Sequence, residues 1–204
     1  MIYEIRLRPT KGRKIYVDPG EREGIYLYPA EIRKAGLSDG RELTDSDFEE
    51  LRRLYALPRA KKRALGILTR RDKTEQELRD KLEESMTDSF SVDEAISYLK
   101  QYGYVDDYRY ASEYIYYKRS KKSFRQIRAD LRKKGIPSDI LEQAFEESGG
   151  QEEEDIRQLF DKYIRRFEEM DSLARQKTYA HFARKGYDRE LIGRLIRLEE
   201  EDRA

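Results

Sequence analysis

The N-terminal part of the chain alternates apolar and polar side chains, whereas the rest repeats apolar positions with a helical period. Alternation over 3–7 predicts a half-buried strand. Further short strands are predicted at 15–17 and 24–28, separated by an Asp-Pro-Gly turn. A short helix is expected from Pro29 to Gly36. These elements would form a small β-rich cap.

A second helix is predicted at the end of this cap. Ser46 and Glu49 fit a capping box, in which a serine and a carboxylate three residues later satisfy free backbone amides. Pro58 is expected to end the helix, because proline lacks an amide hydrogen and its ring clashes with the preceding turn. The cap would therefore occupy residues 1–58, and no later segment has a convincing strand pattern.

Residues beyond the cap repeat one unit three times. Residues 127–136 match 178–187 at an offset of 51, and Leu78 matches Ile127 at an offset of 49. Predicted helices flank each matched one, in groups at 59–69, 74–85 and 91–102; 106–118, 123–134 and 138–147; 152–166, 172–184 and 188–199. The sequence predicts a mainly α protein with tandem three-helix repeats at 59–105, 106–149 and 150–204, in an elongated curved array behind the β-rich cap.

Local signals mark the ends of several predicted helices. Thr74, Ser91 and Ser123 each have Glu or Gln three residues later, as a capping box requires. Gly135 and Gly186 stand where a glycine with positive φ commonly follows a helix. These signals support helical repeats separated by tight turns.

Composition indicates thin cores. Only 37% of residues are hydrophobic and the mean hydropathy is −1.00, so each repeat is marginal alone and should lean on its neighbours. Gly149-Gly150 is the expected hinge. With no cysteine and no long apolar segment, we expect a cytoplasmic monomer without disulfides, thiolate metal sites or membrane spans.

One stretch concentrates positive charge. Residues 118–134 hold nine Lys or Arg and one acid, although the whole chain carries only +1. Such a patch commonly faces an anion. The candidate partner- or phosphate-binding residues are Lys118, Arg119, Lys121, Lys122, Arg125, Arg128, Arg132, Lys133 and Lys134.

Three of these arginines form a row beside the predicted core face of their helix. Arg125, Arg128 and Arg132 have the spacing i, i+3, i+7. The matching positions are Gln76, Arg79 and Glu83 in the first repeat and Gln176, Tyr179 and Ala183 in the third. Because the row is confined to the middle repeat, it is better explained by binding than by folding. A solvated helix face is the alternative.

Tyrosine is concentrated next to this stretch. Eight of the sixteen tyrosines lie within 98–117, and rings beside Lys and Arg can stack on unpaired bases. The candidates for stacking are Tyr104, Tyr108 and Tyr116. The alternative is packing, because Tyr110, Tyr114 and Tyr117 fall at core spacing.

Nothing in the sequence indicates catalysis. His181 is the single histidine, there is no phosphate-binding loop motif, and no nucleophile is paired with a base. His181 is better explained as a surface or packing residue than as a metal ligand. We therefore expect no catalytic residues, no metal site and no cofactor.

Three runs of sequence resemble the RecX regulatory proteins, bacterial modulators of the RecA recombinase. They are ALGILTRRDKTEQELRDKL at 64–82, YGYVDDYRYASEYI at 102–115 and DLRKKGI at 130–136. Asp107 followed by Tyr110-Ala111 resembles the join between the first two RecX repeats. The resemblance extends from about Arg59 to Leu198, and residues 1–58 match loosely.

The resemblance implies a function. In that family three-helix repeats form a curved molecule that lies along the RecA filament, and the usual outcome is inhibition of ATP-driven strand exchange. The first hypothesis is a regulator that binds the RecA–DNA filament in recombination and DNA repair. The second is a stand-alone module that binds single-stranded nucleic acid through 118–134, and a nuclease is a distant third.

Overall fold

The computed structural model describes residues 1–148 and 151–203 of the chain. Their contacts group into two units, one covering Met1–Asp106 and one that begins at Asp107. The expected hinge at Gly149-Gly150 lies outside the described residues. The first unit contains five strands, two helices that pack on them and the helices of the first repeat, and the second contains helices alone among its described residues.

The strands are β1 (Ile2–Glu4), β2 (Arg6–Pro9), β3 (Ile15–Asp18), β4 (Ile25–Leu27) and β5 (Glu42–Thr44). They form two antiparallel sheets, a pair β1-β5 and a three-stranded meander β2-β3-β4. The meander confirms the predicted short strands, since Leu7 lies opposite Val17 and Val17 lies opposite Ile25.

The first predicted strand is divided between the two sheets. Ile5 is fully buried at the division, where its amide donates to the Arg41 carbonyl and its carbonyl accepts from the Gly40 amide, both at 2.9 Å. Strand β5 was not predicted, because Leu43 is its single apolar residue and β5 forms by pairing with a segment far away in the chain.

Helices α1 (Pro29–Lys34) and α2 (Asp45–Leu51) pack on these sheets. Helix α2 begins earlier than predicted. Its N-cap is Thr44, whose hydroxyl accepts from the Asp47 amide at 3.2 Å, so the capping box predicted at Ser46 is wrong. The described core of this part comprises Tyr3, Ile5, Val17, Ile25, Leu27, Ile32, Leu37, Leu43, Phe48 and Leu51.

Pro58 does not end a helix. A turn of π-helix, Arg52–Ala56, joins α2 to α3 (Leu57–Leu68), and Pro58 lies in the first turn of α3. The Leu57 amide donates to the Arg52 carbonyl five residues back, which makes room for the proline ring where a regular helix would clash. The prediction of a break at Pro58 is therefore wrong.

The π turn also places a buried ion pair. Arg52 Nε lies 3.2 Å from Asp88 Oδ1, and both side chains are almost completely buried. Asp88 is also the N-cap of the helix that begins at Ser89. Its carboxylate accepts a hydrogen bond from the Ser91 amide at 3.1 Å. Ser91 was predicted to be that cap, and the structure corrects it to Asp88.

The first repeat consists of α3, α4 (Glu75–Glu84) and α5 (Ser89–Gln101). Thr74 caps α4 through the Glu77 amide at 3.2 Å, as predicted. The small side chains of Ala60 and Ala64 let α3 approach α5 closely. The described core is Ala60, Ala64, Leu78, Leu82, Val92, Ala95, Ile96, Leu99 and Val105.

The second unit contains α6 (Asp107–Lys118), α7 (Phe124–Lys133), α8 (Ser138–Glu147), α9 (Gln151–Ile164), α10 (Ser172–Arg184) and α11 (Arg189–Arg203). It has two separate hydrophobic clusters. One comprises Ala111, Ile115, Ile127, Leu131, Ile136, Leu141, Ala144 and Phe145. The other comprises Ile156, Phe160, Ile164, Phe182, Tyr187, Leu191, Ile192, Leu195 and Ile196.

The predicted helix ends at Gly135 and Gly186 are confirmed. Their φ angles are +81° and +84°, which only glycine adopts without strain. The mainly helical class, the tandem three-helix repeats and the small antiparallel cap are confirmed as well, and the described residues after 58 contain no strand. The division at 59, 106 and 150 stays a prediction.

Candidate partner-binding surface

Helix α7 carries the predicted arginine row and is anchored at its start. Ser123 accepts a hydrogen bond from the Gln126 amide at 3.3 Å, which confirms the predicted N-cap. The same hydroxyl donates to the Lys185 carbonyl at the end of α10, at 2.7 Å. Ile127 and Leu131 are fully buried. These contacts fix which face of α7 is turned outward.

The three arginines do not lie in equivalent surroundings. Successive residues of an α-helix are rotated by about 100°, so Arg128 lies nearest the buried seam and Arg125 and Arg132 lie farther out. Arg125 and Arg132 are exposed, while Arg128 is half-buried with its guanidinium carbon 4.4 Å from the centre of the Phe145 ring. The row therefore combines packing with an open cationic edge.

Arg125 is also positioned by the third repeat. A side chain at Gly186 would bring its Cβ to 3.5 Å from Arg125 Cδ and 3.2 Å from Ser123 Oγ. The stem of Arg125 therefore runs over the glycine that ends α10. This packing needs glycine at 186, both for the positive φ and for the space.

Several of the predicted basic residues have partners inside the protein. Lys122 donates to Asp130, and this hydrogen bond lowers the pKa of the Asp130 carboxyl. Arg119 Nε lies 3.7 Å from Asp155 Oδ2, and burial raises the pKa of Asp155. The ammonium groups of Lys118 and Lys134 stand over tyrosine rings of α6, at 5.8 and 5.5 Å from the ring centres.

Four predicted residues face outward. Within the described part of the chain, no ion pair involves Lys121, Arg125, Arg132 or Lys133, and all four are exposed. We call these four residues the α7 face. The sequence identified its charge, and the structure separates it from the neighbours that serve packing.

The equivalent helices of the other repeats differ. Arg79 of α4 occupies the position of Arg128, but it is paired with Asp93 and lies 3.6 Å from Glu75. In α10 the same position is Tyr179, which is 37% exposed. Charge at this position is thus neutralised in α4 and absent in α10, whereas Arg128 of α7 has no ion pair among the described residues and packs against Phe145.

The tyrosines have two kinds of surroundings. Tyr104 and Tyr116 are exposed, whereas Tyr108 is half-buried and its hydroxyl donates to Glu147. These contacts favour packing for Tyr108, and base stacking by Tyr104 and Tyr116 stays a prediction. Tyr117 was predicted to face the core, but it is 69% exposed because Ala111 and Ile115 form the buried seam of α6.

His181 is a packing residue. Its ring stacks on Tyr163 with the ring centres 4.0 Å apart. Burial, followed by the nearby charges of Lys185, Arg166 and Arg184, lowers the pKa of His181. No group of three His, Cys, Asp or Glu side chains suited to a metal ion occurs in the described part of the chain.

Sequence reasoning missed a second basic region. Residues 59–73 hold seven Lys or Arg and one acid, in the first repeat. The same charge count that pointed to 118–134 would have found it. Lys61 illustrates why counting alone is ambiguous, since its ammonium is used in packing and stands 4.0 Å from the centre of the Tyr98 ring.

Taken together, the fold and the site define a tandem three-helix repeat protein that presents a cationic face on a packed helix. The exposed cations make the α7 face a candidate binding surface. Among the described residues, no helix is both long enough and apolar enough to span a membrane.

Two family models match the repeats. The RecX first three-helix domain matches residues 60–106, and the RecX second three-helix domain matches residues 106–144. Regulatory protein RecX of Clostridium beijerinckii is 29% identical over 201 residues, covering 95% of this chain and 92% of the relative. Regulatory protein RecX of Clostridium acetobutylicum is 30% identical over 173 residues, covering 79% and 78%.

A solved structure has the same fold. The crystal structure of a regulatory protein RecX superposes with a TM-score of 0.62 at 24% identity, covering 95% of this chain and 97% of the other. The chain belongs to the RecX family of regulatory proteins. These relatives are named as regulatory proteins.

Proposed function

We propose that this protein binds the RecA–DNA filament and lowers the ATPase and strand-exchange activities of RecA. Membership of the RecX family supports the choice of partner. The observation that carries the proposal is the α7 face, which presents three exposed cations on a helix held at both its core side and its N-cap, and a fourth, Lys121, just before it. A filament that contains DNA offers phosphates to such a face.

The surroundings of α7 suit a binding role. Exposed cations without ion pairs contribute little to the stability of the fold, so their charge remains available to bind an anionic partner. The helix is held by Leu131 in the core and by the bond from Ser123 to Lys185, so little ordering is lost on binding. A preorganised cationic face of this kind would contribute affinity and speed of association.

Repetition suits a polymer as the partner. Each three-helix repeat offers a small surface, and a single small contact is weak. Repeats joined in one chain raise the effective concentration of the next contact, so linked weak contacts give tight binding to a filament. Linked contacts of this kind favour the RecA filament over an isolated RecA molecule as the partner.

The test is the DNA-dependent ATPase of the cognate RecA, titrated with the full chain. One variant carries Arg125→Gln, Arg132→Gln and Lys133→Gln on the α7 face. A matched control carries Arg157→Gln, Arg165→Gln and Arg189→Gln, which are exposed, remove the same charge and belong to the third repeat. We expect the first variant to need about ten-fold more protein for half-maximal inhibition and the control less than about two-fold more.

Two results would contradict the proposal. The first is an unchanged RecA ATPase at saturating wild-type protein. The second is equal loss of inhibition in both variants, which would remove the α7 face from the mechanism. Adding bare oligo(dT) in excess checks the alternative function, because inhibition that disappears in proportion to DNA capture is simple competition for the single strand.

Point substitutions are a cleaner test than truncation. A chain cut near residue 149 would lack the Lys185 carbonyl and Asp155, which hold Ser123 and Arg119. Weaker inhibition by such a fragment would mix a missing binding surface with a loosened α7.

A further inference from the structure

A second cationic surface lies in the first unit, between α3 and α4. It is a cleft of about 580 Å³ whose lining residues are Arg59, Lys62, Arg63, Gly66, Ile67, Arg70, Arg71, Lys73 and Lys81. Seven of these nine residues are cationic and none is acidic. A concave surface with this lining concentrates positive potential, because the cleft walls keep solvent from screening the charges fully.

The cations of the cleft fall into two groups. Arg59 is anchored on Glu31 at 2.8 Å, Lys73 lies 3.4 Å from Glu77, and Lys81 lies 2.7 Å from Glu84. The other four are exposed and have no ion pair within the described part of the chain, namely Lys62, Arg63, Arg70 and Arg71. The acids that would neutralise these four side chains are absent from the lining.

The free cations follow one edge of α3. Lys62 and Arg63 lie one turn before Gly66, and Arg70 follows one turn after it, just past the end of the helix. Eight residues of α-helix rise about 12 Å, so the charges are spread along an extended path rather than focused on one point. Gly66 lies between them, and a Cβ there would meet nothing within 4 Å.

Two cleft arginines also act on the half-buried Lys14. Its ammonium donates to the carbonyls of Ser85 and Met86, at 2.6 and 2.8 Å. Burial is the main cause that lowers the pKa of Lys14 to about 8. Arg59 and Arg63 act in the same direction, and Glu31 and Asp88 oppose them.

We propose that this cleft binds the phosphate backbone of single-stranded nucleic acid, with Lys62, Arg63 and Arg70 contacting successive phosphates. The inference goes beyond the proposed function, because it needs no RecA and assigns a binding surface outside the α7 face. The first repeat would then bind single-stranded nucleic acid directly.

The lining favours this ligand over the alternatives. An acidic peptide needs pockets for its other side chains, and Ile67 is the single apolar side chain of the lining. A sugar-phosphate chain requires only a row of cations and room for the backbone, which Gly66 leaves open.

The test measures binding of the full chain to fluorescein-labelled oligo(dT) of about twenty nucleotides, without RecA, over a range of salt concentrations. The cleft variant carries Lys62→Gln, Arg63→Gln and Arg70→Gln. The control variant carries Arg6→Gln, Arg33→Gln and Arg53→Gln, which are exposed residues of the same unit, remove the same charge and lie outside the cleft. The α7 face stays intact in both.

We expect the cleft variant to bind about ten-fold more weakly or worse, and the control to stay within about two-fold of wild type. The slope of log K against log salt should fall by about 0.7 for each phosphate that the variant no longer neutralises, hence by about two in the cleft variant. Equal affinity and equal slope in the two variants would overturn the proposal. Tighter binding of the wild type to an octaglutamate peptide than to oligo(dT) would overturn it as well.

A second measurement does not depend on the folding of variants. Acetylation of wild-type lysines, read by mass spectrometry, should be slowed at Lys62 by oligo(dT) and unchanged at Lys11, an exposed lysine outside the cleft. Equal labelling of Lys62 with and without oligo(dT) would refute the assignment. Because RecA is absent from both experiments, their outcome is independent of the RecA ATPase result.

Discussion

Residues 118–134 and 59–73 have similar densities of positive charge, but their side chains are held differently. Around α7, much of the charge is used inside the protein, as in the pair of Lys122 with Asp130 and the stacking of Arg128 on Phe145. What remains open is an exposed edge supported by the third repeat.

The α3–α4 cleft has the opposite arrangement. Three of its cations are paired with acids outside the lining, Arg59 with Glu31, Lys73 with Glu77 and Lys81 with Glu84, and four are exposed without an ion pair among the described residues. Positive charge in a sequence therefore does not report how much of it is available to a partner. The helix face on which each cation falls, and the acids that the fold brings near, decide that.

The largest effect should come from removing the support beneath α7. Leu131 is fully buried, and Leu131→Ala should lower the free energy of unfolding by about 2–5 kcal/mol, because it leaves a cavity under the arginine row. Chemical denaturation measures this. Leu82→Ala, the equivalent change in α4, should cost a similar amount while leaving the α7 face in place. If Leu131→Ala lowered the free energy of unfolding by less than about 1 kcal/mol, the packing of Leu131 would not be what holds the arginine row in place.

Gly186→Ala should lower the free energy of unfolding by about 1–2 kcal/mol. The residue has φ +84°, and the added Cβ would approach Ser123 Oγ to 3.2 Å. Gly20→Ala is the control, because Gly20 has φ +83° and nothing within 4 Å of the added Cβ. The difference between the two variants in thermal denaturation isolates the packing between the repeats. Equal costs would show that the approach to Ser123 does not constrain α7.

The lowered pKa of Lys14, in the first unit, predicts that the stability of the protein depends on pH. Its pKa in the folded protein is lowered to about 8 from 10.5, so between these values the unfolded chain binds more protons. Stability should therefore rise with pH from about 8 to 10.5, by about 1 kcal/mol after allowance for solvent screening. Denaturation of wild type and Lys14→Met across this range measures it. A rise of the same size in the variant would assign the effect to other groups.

Substitution of Arg128 should destabilise the protein more than substitution of Arg132. Arg128→Gln takes the guanidinium away from the Phe145 ring and should destabilise the protein by about 0.5–1 kcal/mol. Arg132→Gln changes an exposed side chain and should stay within about 0.5 kcal/mol of wild type. A double-mutant cycle with Phe145→Leu checks the assignment, since no coupling between positions 128 and 145 would contradict it.

The smallest effect on stability should come from substitution of Asp130. Its pKa is lowered by the hydrogen bond from Lys122, so the stabilisation is present above the ordinary value of 3.8 and is lost as pH falls through the lowered one. Asp130→Asn should lower the free energy of unfolding by a few tenths of a kcal/mol at pH 7, and by less once the pH is well below 3.8. Urea midpoints at the two pH values measure the difference. A cost that stays the same at low pH would mean that packing, and not charge, holds this pair.

Local chemistry made much of the fold predictable. Thr74 and Ser123 cap the helices that follow them, and Gly135 and Gly186 end helices with positive φ, because these interactions span only a few residues. The repeat itself was readable because the same apolar spacing recurs at a fixed offset.

Two differences between prediction and structure were decided by a distant residue. Asp88 replaces Ser91 as an N-cap, and Arg52, far away in the chain, pairs with it. Strand β5 exists because β1 lies beside it. A local pattern cannot contain these partners. Two other differences are local, since Thr44 and not Ser46 caps α2, and the π turn directly before Pro58 makes room for its ring.

The sequence by itself determined the class of the protein, the three helical repeats, the small antiparallel cap and the charge of 118–134, because periodicity, capping and net charge are properties of neighbouring residues. Only the tertiary structure decided which cations are open. Arg128 packs on Phe145 and Arg119 pairs with Asp155, whereas Lys62, Arg63 and Arg70 meet in a cleft without acids. The reason is physical: the availability of a charge depends on burial and on partners that approach only when the helices pack.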